Sequence, residues 1–253
     1  SNWTREVDLE NSIDIVHLDS KAFDGVPRRR LLYQLQRLFW GTWQFHEVDW
    51  VFLKRSHVFC KVDNSLSRSV EVLSGVRQGS VLGPLFFNLF INDITNNLTC
   101  NYLMYADDLK IFSEIKDISD CIELQINLQK IINWSLSNSF KLNHCKCFAM
   151  SYTMKLKTTD FQYNISNNIW ERQETICDLG VIFDAKLTFI THIDNIVSSA
   201  YKSLEFVIRN TKGMDDLDAL KMLYYSFVRS QLEYASVIWS RIYDANINRV
   251  VKI

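Results

Sequence analysis

Proline and glycine are scarce in this sequence, whose 253 residues include two prolines and seven glycines. These residue types interrupt helices and strands, so their scarcity predicts long elements separated by few turns. Internal repeats, low-complexity tracts and linkers are also lacking. The hydrophobic fraction of 47% and the charged fraction of 23% are typical of a globular chain with a sizeable core, and they argue against a disordered one.

The sequence also lacks an excess of positive charge, because its formal net charge is −1. Proteins that bind nucleic acid mainly through phosphates are usually basic, since neutralising phosphates supplies most of that affinity. Composition therefore argues weakly against nucleic-acid binding. Any such function has to be argued from a specific site.

Cysteines number six, but no two are spaced as a CxxC pair, and no secretory signal peptide is recognisable. We therefore expect a reduced, intracellular protein. His144, Cys145 and Cys147 lie close together in the sequence. A structural zinc site needs a second pair of ligands at similar spacing, so a packing role for these three residues is favoured.

Long hydrophobic runs are absent as well. No stretch approaches the ~20 apolar residues that cross a bilayer. The longest run, residues 81–91, is interrupted by Gly83, Pro84 and Asn88. A membrane partner is not expected.

The apolar pattern predicts strands and helices mixed in residues 1–189 and helices alone in residues 190–253, which is typical of an α+β body followed by a small helical domain. Strands are predicted at residues 13–18, 57–62, 69–73, 101–105, 109–113, 146–152, 161–165 and 178–183. Helices are predicted at residues 29–39, 81–94, 118–137, 190–209 and 215–229. The side chains of helix 118–137 that are expected to face the core are Ile122, Ile126, Leu128, Ile132 and Leu136.

Two adjacent acids, Asp107 and Asp108, occupy a tight turn between two apolar strands. Adjacent carboxylates repel each other unless a cation lies between them, and Mg²⁺ prefers oxygen ligands. Alone, such a pair is more often part of a solvated turn. Asp19 ends another apolar strand and would add a third acid if the two strands are neighbours. Two metals ~3.5–4 Å apart could then serve an in-line phosphoryl transfer.

Several segments resemble a known family. Residues 105–108 (YADD) resemble the YxDD box of reverse transcriptases. Residues 74–86 (SGVRQGSVLGPLF) resemble the loop of that family that contacts the template and the nucleotide. Residues 19–24 (DSKAFD) resemble the family's first catalytic segment. Further similar segments are residues 91–94 (INDI), residues 179–181 (LGV) with Asp184 and His192, and residues 232–236 (LEYAS) with Trp239. These segments follow one another in the same order as in the reverse transcriptases of non-LTR (LINE-type, jockey-like) retrotransposons, which the chain resembles.

This resemblance implies a right-hand polymerase fold, with an antiparallel palm sheet and packed helices in residues 1–189, and a helical thumb in residues 190–253. The fingers are expected to be largely missing. It further implies that Asp19, Asp107 and Asp108 bind two Mg²⁺ ions. Lys146 would neutralise or protonate the departing pyrophosphate, or would otherwise be an ordinary surface lysine.

The resemblance also implies a nucleotide site. Phe23 would be the steric gate that rejects a 2′-hydroxyl, or alternatively a core residue after a strand. Gln78 and Gly79 would lie beside the incoming nucleotide and template, where glycine permits close backbone approach. The implied partners are an RNA template, a DNA primer and deoxynucleotide triphosphates.

The sequence departs from the family near its first acid. Counting back from residues 21–24 places the catalytic acid at Leu18, so Asp19 matches only if one residue is deleted after it. A one-residue slip sends strand side chains to the opposite face, which would turn Asp19 away from Asp107 unless a bulge absorbs the change. Arg77 also replaces the family's usual proline.

These features support two functional hypotheses. The first is an RNA-directed DNA polymerase. The second is a catalytically inactive retroelement fragment that retains at most nucleic-acid binding, and the departures above favour it for this chain. A right-hand polymerase with another template preference is a third possibility, against which residues 21–24 and the Gln78-Gly79 pair argue.

Overall fold

A computed structural model describes residues 12–20, 22–38, 57–72, 74–76, 79–143, 145–155, 159–165, 168–170 and 172–240. The apolar spacing of Val48, Val51 and Phe52 also predicts a weaker helix, but these three residues lie outside the described ranges. The chain forms two compact units, Ser1–Arg172 and Gln173–Ile253.

The first unit mixes helices with an antiparallel sheet, as predicted. Its strands are β1 (Ser12–Leu18), β2 (His57–Val58), β3 (Lys61–Val62), β4 (Ser65–Leu66), β5 (Val70–Glu71), β6 (Asn101–Tyr105), β7 (Asp108–Ile115), β8 (Phe148–Tyr152), β9 (Asn164–Ile165) and β10 (Asn168–Ile169). Its helices are α1 (Ala22–Gly25), α2 (Arg28–Leu38), α3 (Gly83–Ile91), a 3-10 helix (Asn92–Thr95) and α4 (Ile118–Ser137).

The main sheet has the strand order β6-β7-β1-β8, and every neighbouring pair is antiparallel. β1 therefore lies between β7 and β8, with Leu18 opposite Leu109 and Ile13 opposite Tyr152. All seven residues of β1 are buried. This explains why its sequence is apolar at both odd and even positions, since a central strand covered on both faces shows little alternation.

Helices α2, α3 and α4 contribute to one core with the sheet. That core contains Val16 and Leu18 of β1, Phe86, Phe87 and Phe90 of α3, and Leu124, Leu128 and Ile131 of α4. Three further aromatic residues, for which the sequence favours packing over stacking on a ligand, belong to this core. Phe140 and Trp170 are buried, and Trp134 packs against the same core.

The predicted orientation of α4 is partly wrong. Leu128 and Ile132 are buried as expected, but Ile122, Ile126 and Leu136 are 47%, 52% and 72% exposed. The helix carries apolar residues around more than one face, so spacing alone could not choose the buried stripe. The buried residues of α4 are Cys121, Leu124, Asn127, Leu128, Ile131, Ile132 and Ser135.

The second unit consists of a hairpin and helices. Its elements are β11 (Thr175–Asp178), β12 (Val181–Asp184), α5 (Ile190–Asn210), α6 (Leu217–Tyr224), a π-helical turn (Tyr225–Arg229), α7 (Ser230–Glu233) and α8 (Ser236–Trp239). The single strand predicted at residues 178–183 is therefore wrong. Leu179 and Gly180 both have positive φ, 45° and 81°, and they form the turn between two strands.

Asp184 connects this hairpin to α5. Its carboxylate accepts hydrogen bonds from the backbone N–H groups of Lys186, Thr188 and Phe189, and from the hydroxyl of Thr188. A carboxylate that satisfies free N–H groups just before a helix stabilises the helix start. The family-like position Asp184 therefore has a structural role.

The remaining family-like residues of this unit pack against one another. The hydroxyl of Tyr234 donates to the carbonyl of Leu179 at 2.8 Å, and the Tyr234 ring lies 3.2 Å from where a Cβ on Gly180 would be. His192 and Trp239 meet edge to face at 5.8 Å between ring centroids. These contacts connect the LGV segment with Tyr234 of the LEYAS segment and His192 with Trp239.

Throughout the described part of the chain, no helix combines the length and the apolar character needed to cross a membrane.

Candidate active site

Asp19 directly follows β1, whose last residue, Leu18, is opposite Leu109 of β7. Leu18 and Leu109 are buried at 3% and 2% exposure. Asp108 directly precedes Leu109, so both acids lie next to this buried pair in the sequence. The segment that the sequence predicts to be one residue short lies between the end of β1 and the start of α1 at Ala22.

Lys146 lies against Asp19. Its Nζ donates to Asp19 Oδ2 at 3.1 Å. The lysine is held there by backbone bonds, because the N–H of Asn143 donates to the carbonyl of Asp19 at 2.9 Å and the N–H of Lys146 donates to the carbonyl of Asn143 at 2.9 Å. The tight turn after α4 thus fixes Lys146 beside the end of β1.

The same lysine responds to the charges of all three predicted acids. The pKa of Lys146 is raised first by its hydrogen bond to Asp19 and by the charge of Asp19, and further by the charges of Asp107 and Asp108. Negative charge stabilises the protonated ammonium, which explains the direction. Asp19 thus contacts Lys146 directly, and Asp107 and Asp108 act on the same lysine through their charges.

The predicted hairpin with acids at its tip is present. Tyr105 pairs with Asp108, and Ala106 and Asp107 form the two-residue turn between them. Ala106 has a φ of 52°, in the left-handed region that is strained for a residue with a Cβ. Strained backbone of this kind concentrates at functional sites, and here it directly precedes Asp107.

The carboxylate of Asp19 has one oxygen free to bind a cation. Its Oδ1 is buried and has no hydrogen-bond partner in the described part of the chain, whereas Oδ2 is bonded to Lys146. Within the described ranges, no three His, Cys, Asp or Glu side chains are grouped closely enough to hold a metal. An unpartnered carboxylate oxygen fits an oxygen-preferring cation such as Mg²⁺.

The loop that contains Gly75 is hydrogen-bonded to α1 and to Val26, which follows this helix. The N–H of Gly75 donates to the carbonyl of Val26, and the N–H of Val76 donates to the carbonyl of Phe23, both at 2.8 Å. Gly75 has a φ of +85°, and a Cβ there would lie 2.7 Å from the Phe23 carbonyl oxygen. Glycine is therefore required at position 75 by both backbone conformation and close approach.

Phe23 is half-buried, and its ring packs on that of Phe87 at 5.1 Å between centroids. Gly79 is exposed, and a Cβ built there would meet nothing within 4 Å. Gln78, Lys21 and Arg77 lie outside the described residues. The structure thus places Phe23 and Gly79 but not Gln78.

One buried charge, Asp14, was not predicted. It is 1% exposed within β1. Arg172 donates to both of its carboxylate oxygens at 3.0 Å, Ser151 donates to Oδ1 at 2.6 Å and Tyr163 donates to Oδ2 at 2.8 Å. Burial, followed by the charge of Asp14, raises the pKa of Tyr163. The available sequence signal was a charged residue between Ile13 and Ile15 in an otherwise apolar strand.

The comparisons with known proteins identify the class. Residues 10–183 match the reverse transcriptase (RNA-dependent DNA polymerase) family. This is more than half of the chain, and the chain belongs to that family.

The relatives that match this chain come from mobile elements. An RNA-directed DNA polymerase from mobile element jockey of Drosophila melanogaster is 28% identical over 185 residues, which cover 70% of this chain and 20% of that protein. The jockey protein of Drosophila funebris is 24% identical over 241 residues, covering 91% of this chain and 26% of that protein. A Pol polyprotein from the R2DM element of Drosophila melanogaster is 29% identical over 150 residues, covering 54% of this chain and 13% of that protein. The chain thus spans between about a fifth and a quarter of the length of its jockey relatives.

Among solved structures, telomerase from Candida albicans, in complex with a fragment of telomeric RNA, aligns with 91% of this chain and 41% of its own. The sequence identity is 13% and the TM-score 0.36. The family assignment rests on the sequence matches.

Proposed function

We propose that this chain is the polymerase part of a retrotransposon reverse transcriptase and extends a primer 3′-hydroxyl with deoxynucleotides along an RNA template. One observation carries this proposal. Lys146 Nζ contacts Asp19 Oδ2 at 3.1 Å, and the charges of Asp107 and Asp108 also raise the pKa of Lys146. Phosphoryl transfer relies on positioning and electrostatic stabilisation, which these acids and the lysine would supply.

In this proposal, the four-stranded sheet and its helices form the palm, and the helices of residues 190–240 form the thumb. The palm assignment is supported by the acids at one end of the central strands. The thumb assignment is supported by a unit that is mainly helical.

Asp19 would hold a divalent cation through its unpartnered Oδ1, together with Asp107 and Asp108. When bound, such a cation lowers the pKa of the primer hydroxyl and neutralises developing charge on the phosphate. Lys146 would leave Asp19 as the carboxylate takes up the cation. Its ammonium would then neutralise or protonate the pyrophosphate leaving group.

Phe23 would form the steric gate, with its ring supported from behind by Phe87. Because Phe87 prevents the Phe23 ring from moving back, no room would remain for a ribose 2′-hydroxyl. Gly79, with open space around it, would allow template or nucleotide to approach the backbone, and Gln78 would lie beside it.

Primer extension on a primed RNA template with Mg²⁺ and deoxynucleotides tests the proposal on the full chain. Asp107→Ala should abolish extension, because it removes one of the carboxylates that are proposed to bind the cation. Asp160→Asn, which changes an exposed acid of the same unit, is the matched control and should leave extension intact.

Two outcomes would contradict the proposal. The first is absence of extension in the unmodified chain together with RNA binding that weakens as salt rises, which would identify an inactive nucleic-acid-binding fragment. The second is efficient extension on a DNA template and not on RNA, which would identify a polymerase of another template preference.

A further inference from the structure

β1 contains one acid, Asp14, and a second acid, Asp19, directly follows its last residue. Asp14 alternates with Val16 and Leu18 on the helix-covered face of the strand. It contacts Tyr163, which belongs to the same core as those two residues. The register of β1 therefore determines where both acids lie.

Hydrophobic burial alone does not choose the face of this strand. Ile13 and Ile15 on one face are 0% and 5% exposed, and Val16 and Leu18 on the other are 0% and 3% exposed. A strand that is apolar on both faces loses little burial when it slips by one residue, although the slip turns every side chain over. Choosing one face requires a side chain that only one face can accommodate.

Asp14 is such a side chain. Its two carboxylate oxygens accept hydrogen bonds from Ser151, Tyr163 and Arg172. After a one-residue slip, the carboxylate would be buried on the opposite face without these partners, which is a costly arrangement. The same slip would carry Asp19 away from Lys146.

Arg172 is itself fixed in place. Besides Asp14, it donates to the carbonyl oxygens of Phe161 at 3.0 Å and Thr159 at 3.3 Å. The backbone of Arg172 also pairs with Ala149 of β8 in an isolated bridge, so the ion pair connects the central strand to a residue that is held through its own backbone. A partner held in this way can define a position for β1.

We infer that Asp14, paired with Arg172, is a positioning residue that selects the face of β1 and so holds Asp19 against Lys146. The inference rests on the proposed function only in treating Asp19 as a site residue. A buried polar group that specifies register at little gain in stability is a known use of such groups.

The Lys146–Asp19 contact provides a direct readout. A zero-length carbodiimide condenses a carboxylate and an amine into an amide, with loss of water, where the two groups touch. The yield of the link between Asp19 and Lys146 is measured by mass spectrometry of the full chain. The Lys221–Asp218 pair, 3.4 Å apart in the second unit, serves as an internal standard in every sample.

The test variants replace the polar network by apolar groups. The first is Asp14→Leu/Tyr163→Phe/Arg172→Met, and the second is Asp14→Val/Tyr163→Phe/Arg172→Leu. Their introduced side chains differ in volume, so a packing failure in one variant need not occur in the other. No unpaired charge is left buried, so the fold should persist. The matched control removes another polar cluster of the same unit by Thr99→Val/Asn127→Leu, since these two side chains bond each other.

In a folded apolar variant, the normalised Asp19–Lys146 link should fall about two-fold or more, because two registers of similar free energy would both be populated. The control should keep the link at its original yield. An unchanged link in a folded apolar variant would overturn the inference. So would loss of folding in both apolar variants, which would make the network a requirement for folding in general. Metal and nucleic acid are absent from the assay, so its result is independent of polymerase activity.

Discussion

Lys146 and Asp19 are 127 positions apart in the sequence, yet Lys146 Nζ lies 3.1 Å from Asp19 Oδ2. The charges of Asp107 and Asp108 also stabilise the protonated form of this lysine. Lys146 thus acts as the counter-ion of Asp19. Metal and lysine are expected to compete for Asp19.

Lys146→Met should therefore strengthen metal binding. Removing an exposed ammonium that competes for a carboxylate should tighten Mn²⁺ binding by about two- to five-fold, the range expected for an exposed ion pair. Calorimetric titration with Mn²⁺ measures this. Lys116→Met removes an ammonium paired with Glu114 at 3.4 Å and serves as control, with no change expected. Weaker Mn²⁺ binding in Lys146→Met would show that the lysine supports the cation.

Phe23→Ala should relax sugar selection. With the ring removed from its contact with Phe87, a 2′-hydroxyl has room to enter. The kcat/KM for ribonucleotides relative to deoxynucleotides is expected to rise about ten-fold or more, since steric exclusion is lost. Phe23→Tyr keeps the ring and should preserve selection. If Phe23→Ala kept the original ratio while still extending primers, Phe23 would be a packing residue.

Gly75→Ala and Gly79→Ala form a matched pair for stability. Both glycines have positive φ, +85° and +76°, but a Cβ on Gly75 meets the Phe23 carbonyl at 2.7 Å, whereas one on Gly79 meets nothing within 4 Å. Backbone strain should cost both variants about 1–2 kcal/mol. The clash should cost Gly75→Ala about 1–3 kcal/mol more. Urea unfolding of the two variants measures the difference, and equal losses would contradict the close approach of the loop to α1.

His192 should make the protein less stable in acid. Its Nδ1 accepts from the N–H of Ile182 at 3.3 Å, and burial lowers its pKa below the ordinary 6.5. Between the lowered and the ordinary pKa, the unfolded chain binds more protons than the folded one, so the free energy of unfolding falls as the pH drops below 6.5.

Urea unfolding at pH 7.5 and 5.5, followed by circular dichroism, tests this dependence. In His192→Gln, whose amide oxygen can still accept from Ile182, the loss of stability at the lower pH should shrink. His57→Gln changes an exposed histidine and should behave like the unmodified chain. A loss of stability at pH 5.5 that is identical with and without His192 would contradict the prediction.

Much of the local structure was predictable. The limits of α4 agree with the prediction at both ends, because Asp117 and Asp120 form a capping box at its start. The hairpin around Asp107 was evident from two apolar strands with acids between them. By contrast, the turn at Leu179-Gly180 was missed, since a short apolar segment on both sides of one glycine is similar to a single strand.

The candidate site was predictable in its parts but not in its arrangement. Motif resemblance identified Asp19, Asp107, Asp108 and Lys146, because each lies in a recognisable local pattern. It did not identify the partner of Asp19. That contact depends on the backbone bonds of Asn143, which bring Lys146 beside the end of β1.

The sequence by itself determined the family, the positions of most helices and strands, and the chemical types available at the site, because these properties depend on residues close together in the chain. Tertiary structure alone decided the contact of Asp19 with Lys146 and the burial of Asp14 against Arg172. The physical reason is that β1 carries buried apolar side chains on both faces, so its orientation is specified by partners that are distant in the sequence and reached only when the sheet forms.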